Sequence, residues 1–191
     1  MESFLVSTGI VALAEIGDKT QLLALLLAAR FRKATPIVLG ILVATLLNHA
    51  LAGAAGRWVA GLVAPDTMRW ILGLSFIAMA VWILIPDRLE EEEQTPVPRF
   101  GVFAATLVAF FLVEMGDKTQ IATVALAAKY AAMAPVVMGT TLGMMIANVP
   151  AVLVGDAAAK KLPLRLVHGT AALIFLVMGV LVLASPMLTG R

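Results

Sequence analysis

Six long apolar runs, separated by short polar breaks, account for most of the chain. They extend from about Ser3 to Ala29, Thr35-Pro36 to Val63, Thr67 to Ile85, Phe100 to Tyr130, Pro135 to Ala158 and Leu166 to Ala184. Each is close to or above the ~20 residues that a helix needs to cross a ~30 Å hydrocarbon layer. The pattern therefore predicts an all-α integral membrane protein with six transmembrane helices. The punctuation agrees. Pro36 and Pro135 stand at helix starts, where a missing N–H does no harm. Ala64-Pro65-Asp66 reads as a turn, and Pro86 and Pro186 stop the third and sixth runs. Arg30, Arg32 and Lys33 make one basic loop, and Lys160, Lys161 and Arg165 another. The one plainly hydrophilic stretch, Asp87 to Arg99, contains Glu90, Glu91, Glu92 and Glu93 and reads as a solvated linker.

Two of these runs are interrupted by the same costly sequence. EIGDKTQ, Glu15 to Gln21, returns 99 residues later as EMGDKTQ, Glu114 to Gln120. A charge inside a lipid-length apolar segment costs at least ~2.5 kcal/mol, so such residues are rare and are usually functional. The duplication extends beyond the motif. Glu15–Gly40 and Glu114–Gly139 share 12 identities in 26 positions, among them Pro36/Pro135 and Gly40/Gly139, and His49 faces Asn148. The last run of each half corresponds weakly, through Phe76 and Phe175. The chain thus divides into a first three-helix repeat (1–86), an acidic linker (87–99) and a second three-helix repeat (100–191). An odd number of spans per repeat makes the second enter from the opposite side, an inverted pair. With the N-terminus outside, eight basic residues (Arg30, Arg32, Lys33, Arg88, Arg99, Lys160, Lys161, Arg165) face the cytosol and four (Arg57, Arg69, Lys129, Arg191) do not. The positive-inside rule then puts both termini outside and the acidic linker in the cytosol. The N-terminus lacks a basic region before its apolar run and carries Glu2, so the first run is expected to be retained rather than cleaved.

The polar residues converge in depth. At 1.5 Å per residue Glu15 lies roughly 18 Å into its run and Glu114 roughly 21 Å, near mid-membrane, and Asn48, His49 and Asn148 fall at a similar depth in theirs. Glu15 and Asp18, like Glu114 and Asp117, are three apart and share a helical face. Gly17 and Gly116 between them favour a broken or kinked helix whose freed carbonyls can line a cavity. Four carboxylates against Lys19 and Lys118 leave a deficit of two charges, which one divalent cation would neutralise. Oxygen donors without thiolate suit calcium, manganese or magnesium. Thr20, Gln21, Thr119, Gln120, Asn48, His49 and Asn148 stand as candidates for the inner or surrounding shell, and Lys19 and Lys118 as charge-balancing groups. A structural salt bridge explains one Glu–Lys pair well; two copies at mid-depth favour an ion site. His49 and the asparagines read first as packing or hydrogen-bonding residues.

Composition narrows the classes further. The chain is 61% hydrophobic with 14% charged residues, and its mean hydropathy is +1.00. A net charge of +2, with no basic tract, gives no reason to expect nucleic acid as a partner. The absence of Cys removes disulfides and thiolate metal sites, and two His leave little room for a haem or a multi-histidine zinc centre. No GxxxxGK[ST] loop is present, so transport would draw on a gradient or an external partner. Protons and a metal competing for the same carboxylates would couple the two movements in opposite directions.

The duplicated Glu-x-Gly-Asp-Lys-Thr, met in full at Glu15, Gly17, Asp18, Lys19 and Thr20 and again at Glu114, Gly116, Asp117, Lys118 and Thr119, resembles the signature of the Golgi calcium/manganese transporter family and its bacterial manganese exporters. The resemblance covers essentially the whole chain. It implies a cation–proton antiporter of the wider lysine-exporter superfamily, with Glu15, Asp18, Glu114 and Asp117 binding the ion and no cofactor besides the transported cation. The expected function is export of manganese, or calcium, from the cytosol in exchange for protons, the two repeats rocking about a fixed site. The expected place is a bacterial plasma (inner) membrane, since the chain lacks the targeting region of eukaryotic members. The partners are the metal ion, protons and the bilayer; homo-oligomerisation stays open. Export of a cationic amino acid is the alternative within the superfamily. An intramembrane hydrolase using the paired glutamates is the alternative outside it, disfavoured because an enzyme needs no second matched copy.

Overall fold

The computed structural model describes residues 1–85, 101–154 and 164–185. The acidic linker, the end of the fifth run and the Lys160–Lys161 loop lie outside the described residues. Among those described, all regular structure is helical: α1 (Glu2–Glu15), α2 (Lys19–Phe31), α3 (Ala34–Leu62), α4 (Pro65–Trp82), α5 (Gly101–Glu114), α6 (Lys118–Tyr130), α7 (Met133–Val154) and α8 (Leu164–Ala184). Three stretches, Ala34–Leu62, Met133–Leu153 and Arg165–Ala184, are individually long and apolar enough to cross a membrane. The first and fourth apolar runs are each two helical halves of 14 and 13 residues, interrupted within the motif. The expected turn at Ala64-Pro65-Asp66 is instead the opening of α4. Pro65 takes the first helical position, where its fixed φ is already suitable.

The 99-residue offset reappears in space. α1 packs along α7, and α5 along α3. A Cβ added to Gly139 would lie 2.5 Å from the Phe4 carbonyl, and one added to Gly40 would lie 2.9 Å from the Phe103 carbonyl. Each is the other's repeat mate. Gly143 likewise abuts the Thr8 carbonyl, so α1 and α7 run in parallel. The only non-glycine residues of positive φ among those described, Arg32 (52°) and Ala131 (48°), are also mates and close α2 and α6. The start of α1 and the end of α6 meet, with the Tyr130 hydroxyl donating to Glu2 at 3.4 Å. The two halves are thus interlocked, each lending its first helix to the other's long helix.

One part breaks this symmetry. α4 and α8 pack antiparallel, with Phe76 and Phe175, again repeat mates, stacked at 6.2 Å between centroids. Together they lean on α6 and α1, forming a buried cluster with Ile10, Ala14, Ala122, Leu126 and Ala127. The halves α2 and α5 bury Leu23, Leu27, Phe110 and Val113 in a second cluster with α3 and α7, to which α4 and α8 contribute nothing.

Candidate functional site

α1 ends on Glu15 and α5 on Glu114 because the next-but-one residue adopts a left-handed backbone. Gly17 has φ 84° and Gly116 φ 78°, a region costly for any residue with a Cβ. Each break is held by the same bonds. The Asp18 and Asp117 N–H groups donate to the carbonyls of Glu15 and Glu114, at 3.1 and 3.2 Å. The Gly17 and Gly116 N–H groups donate to the side-chain oxygens of Gln21 and Gln120, at 2.9 and 2.6 Å. The Thr20 hydroxyl donates to Glu15 at 2.5 Å, and that of Thr119 to Glu114 at 3.1 Å. The glutamines therefore brace the turns and the threonines orient the glutamates.

Asp18 and Asp117 sit at the N-caps of α2 and α6, yet neither side chain caps its own helix. Their carboxylates face across the repeats instead: Lys118 Nζ lies 3.6 Å from Asp18 Oδ1, and Lys19 Nζ 3.3 Å from Asp117 Oδ1. Each motif's ammonium thus meets the other motif's aspartate. Carboxylate oxygens of Glu15, Glu114 and Asp117 all lie within 4.8 Å of one another, and all three residues are buried. Asp18 is buried beside this trio but is not one of the three. Like charges this close need protons or a cation between them. The C-terminal ends of α1 and α5, with their partial negative charge, converge on the same place and favour a cation. Glu15 Oε1 and Glu114 Oε1 have no hydrogen-bond partner among the described residues.

The other expected residues are buried at the same level. The Asn48 amide donates to the Phe111 carbonyl at 3.0 Å, one turn before Glu114, and the Gln21 amide to the Ala147 carbonyl at 2.9 Å, beside Asn148. The Asn148 amide donates back to Met144 of its own helix at 3.0 Å. His49 is fully buried, and among the described residues neither ring nitrogen has a hydrogen-bond partner; the same holds for Asn48 Oδ1 and Asn148 Oδ1. His49 is not part of the carboxylate trio.

Sequence reasoning did not single out His168. Its Nε2 lies 2.6 Å from the Ile16 carbonyl, so the start of α8 is tied to the first break. The end of α4 is tied to the second, where Lys118 Nζ donates to the Ile85 carbonyl at 3.2 Å. The available signal was weak: a lone histidine at the head of an apolar run, facing Arg69 in the repeat alignment.

Residues 3–91 and 102–189 match the family model described as divalent cation/proton antiporter GDT1. A Vibrio cholerae protein, whose name provisionally describes it as a manganese exporter, is 54% identical over 179 residues, covering 93% of this chain and 88% of its own. A GDT1-like protein of Oryza sativa is 30% identical over 201 residues (92% of this chain, 70% of its own), and one of Synechocystis is 30% identical over 184 residues (87% and 89%). No solved structure matches the chain. The repeated motif, the paired breaks and the match across both halves agree, and the chain belongs to the GDT1 family of divalent cation/proton antiporters, which are transporters and not enzymes.

Proposed function

We propose that this protein exports manganese from the cytosol in exchange for protons, across a bacterial inner membrane that it spans six times as two inverted three-helix repeats. The observation that carries the reading is the buried trio of Glu15, Glu114 and Asp117, drawn from both motif copies, with an unpartnered oxygen on each glutamate. Asp18 completes the acidic set once its ammonium partner gives way, and protons occupy the same oxygens when the metal leaves. Thr20 and Thr119 hold the glutamates in register, and Asn48, His49 and Asn148 supply the surrounding polar atoms. Manganese is favoured over calcium by the name of the Vibrio relative. The sequence repeat, the parallel packing of α1 with α7 and α5 with α3, and the basic-residue count support the inverted arrangement with both termini outside. The interlocking of the halves argues against rocking of one whole repeat on the other, since that motion would pull apart the close backbone contacts at Gly40 and Gly139. The α4/α8 pair is the better candidate for the moving part.

The test is manganese flux into liposomes containing the purified protein, with calcium and lysine run in parallel. Flux that reverses with the imposed pH gradient is the expected result. Flux of lysine in place of either metal, or metal flux indifferent to the pH gradient, overturns the reading.

A further inference from the structure

We propose that Lys118 is a positioning residue for transport: a resident cation that latches the end of α4 to the ion site and lets go when a divalent ion binds. The inference rests on the proposed transport reading and extends it to the link between site occupancy and helix movement.

The Lys118 ammonium is buried, with its side chain 5% exposed, and touches two acceptors that its own helix does not provide. One is Asp18 Oδ1 of the first motif at 3.6 Å; the other is the Ile85 carbonyl at 3.2 Å. Ile85 follows the last turn of α4 (Pro65–Trp82), where carbonyls have no intrahelical donor and carry the negative end of the helix dipole. A buried ammonium is therefore a strong partner for that carbonyl. The latch joins three elements: α6, which carries Lys118; the first motif, through Asp18; and the asymmetrically placed α4/α8 pair, through Ile85. Lys19, the repeat mate, pairs with Asp117 at 3.3 Å and is more exposed at 17%. The α8 end of the pair is held differently, by His168 on the Ile16 carbonyl.

Entry of a doubly charged ion among Glu15, Glu114 and Asp117 changes the balance. It competes with the ammonium for Asp18 and repels Lys118 directly, so the ammonium withdraws and the Ile85 carbonyl loses its donor. The end of α4 is then released from the site. Departure of the ion restores the latch. An empty site is held in one orientation by its own lysine, and a loaded site is not.

The chain has no cysteine, so two can be introduced for spin labels without removing any. Leu84→Cys, at the exposed end of α4, and Leu26→Cys, exposed on α2, form a suitable pair. In the otherwise unaltered protein in liposomes, manganese shifts the label distance. In Lys118→Gln the metal-free distance already matches the metal-bound one, the manganese concentration at half-maximal flux falls about tenfold as a competing unit charge is lost, and the maximal rate falls by a similar factor. Lys118→Arg, which keeps the charge and the donors, returns both constants toward those of the parent. A Lys118→Gln variant that changes only the half-saturation concentration, with the label distance unmoved, overturns the latch and leaves simple charge balance. If Lys118→Gln fails to fold, the parent decides alone: a Leu84–Leu26 distance indifferent to manganese, while flux continues, overturns the latch but not the transport reading. Absence of any manganese binding or flux in the parent overturns both.

Discussion

Glu114→Gln separates a ligand from a packing residue because stability and binding should move in opposite directions. Glu114 is fully buried, accepts a hydrogen bond from Thr119 on one oxygen, and has no partner among the described residues on the other. Glutamine has nearly the same shape and can still accept from Thr119, so little packing is lost. What is lost is one unit of negative charge from a trio whose oxygens lie within 4.8 Å of one another. At that separation, with an effective dielectric of about 20, a pair of unit charges is worth about 3.5 kcal/mol. A divalent ion held by the trio loses at least about 3 kcal/mol of that attraction, a weakening of more than a hundredfold in Kd. The same substitution removes repulsion between the carboxylates, so the metal-free fold should hold or gain stability. Manganese titration followed by electron paramagnetic resonance, paired with thermal unfolding in detergent without metal, reads both quantities. Binding within threefold of the parent together with a lowered melting temperature would refute the reasoning and make Glu114 a structural residue.

Three further substitutions test the backbone break and the helix packing that position the trio. Gly116→Ala meets no atom within 4 Å, so its whole cost is the positive φ of 78°. About 1 to 2 kcal/mol of stability should be lost, with weaker manganese binding as the break shifts; an unchanged melting temperature would show that the left-handed turn is not required. Gly139→Ala drives its Cβ to 2.5 Å from the Phe4 carbonyl, a backbone obstacle, and should destabilise the α1/α7 contact by roughly 1 to 3 kcal/mol. Gly9→Ala, with nothing within 4 Å, should stay within about 0.5 kcal/mol of the parent; equal losses at the two sites would refute the interlocked packing.

The parts of this protein that spacing within one helix controls were legible in the sequence. Apolar run length located the helices, and Gly17 and Gly116 marked the breaks. The shared helical face expected for Glu15 with Asp18, and for Glu114 with Asp117, does not form, because the helix ends between them: each glutamate closes one half and each aspartate precedes the next. The parts that depend on which helix lies beside which were not legible. No spacing rule says that Lys19 should meet Asp117 and Lys118 meet Asp18, because those contacts arise from two breaks brought face to face by the packing of α1 on α7 and α5 on α3. Gln21 and Gln120 read as candidate ligands from their chemistry, but the glycine N–H groups freed by the breaks needed acceptors and took their side-chain oxygens.

The more informative mismatch lies where the repeat itself fails. A sequence written twice predicts a structure with two equivalent ends and, by itself, no preference for one side. Any such preference must therefore come from what differs between the copies. α4 and α8 keep only four identities at the 99-residue offset, Leu74/Leu173, Phe76/Phe175, Met79/Met178 and Val81/Val180, and they lean on α6 and α1 while leaving α2 and α5 to a separate core. Two polar ties hold them there: Lys118, whose repeat mate Lys19 pairs with Asp117, on the Ile85 carbonyl, and His168, which faces Arg69 in the repeat, on the Ile16 carbonyl. The identical motifs assemble the site; what differs is what each one meets, since Lys118 reaches the Ile85 carbonyl at the end of α4 while Ile16 is met by His168 at the start of α8, and on the latch proposed above that difference sets the side toward which α4 and α8 are drawn.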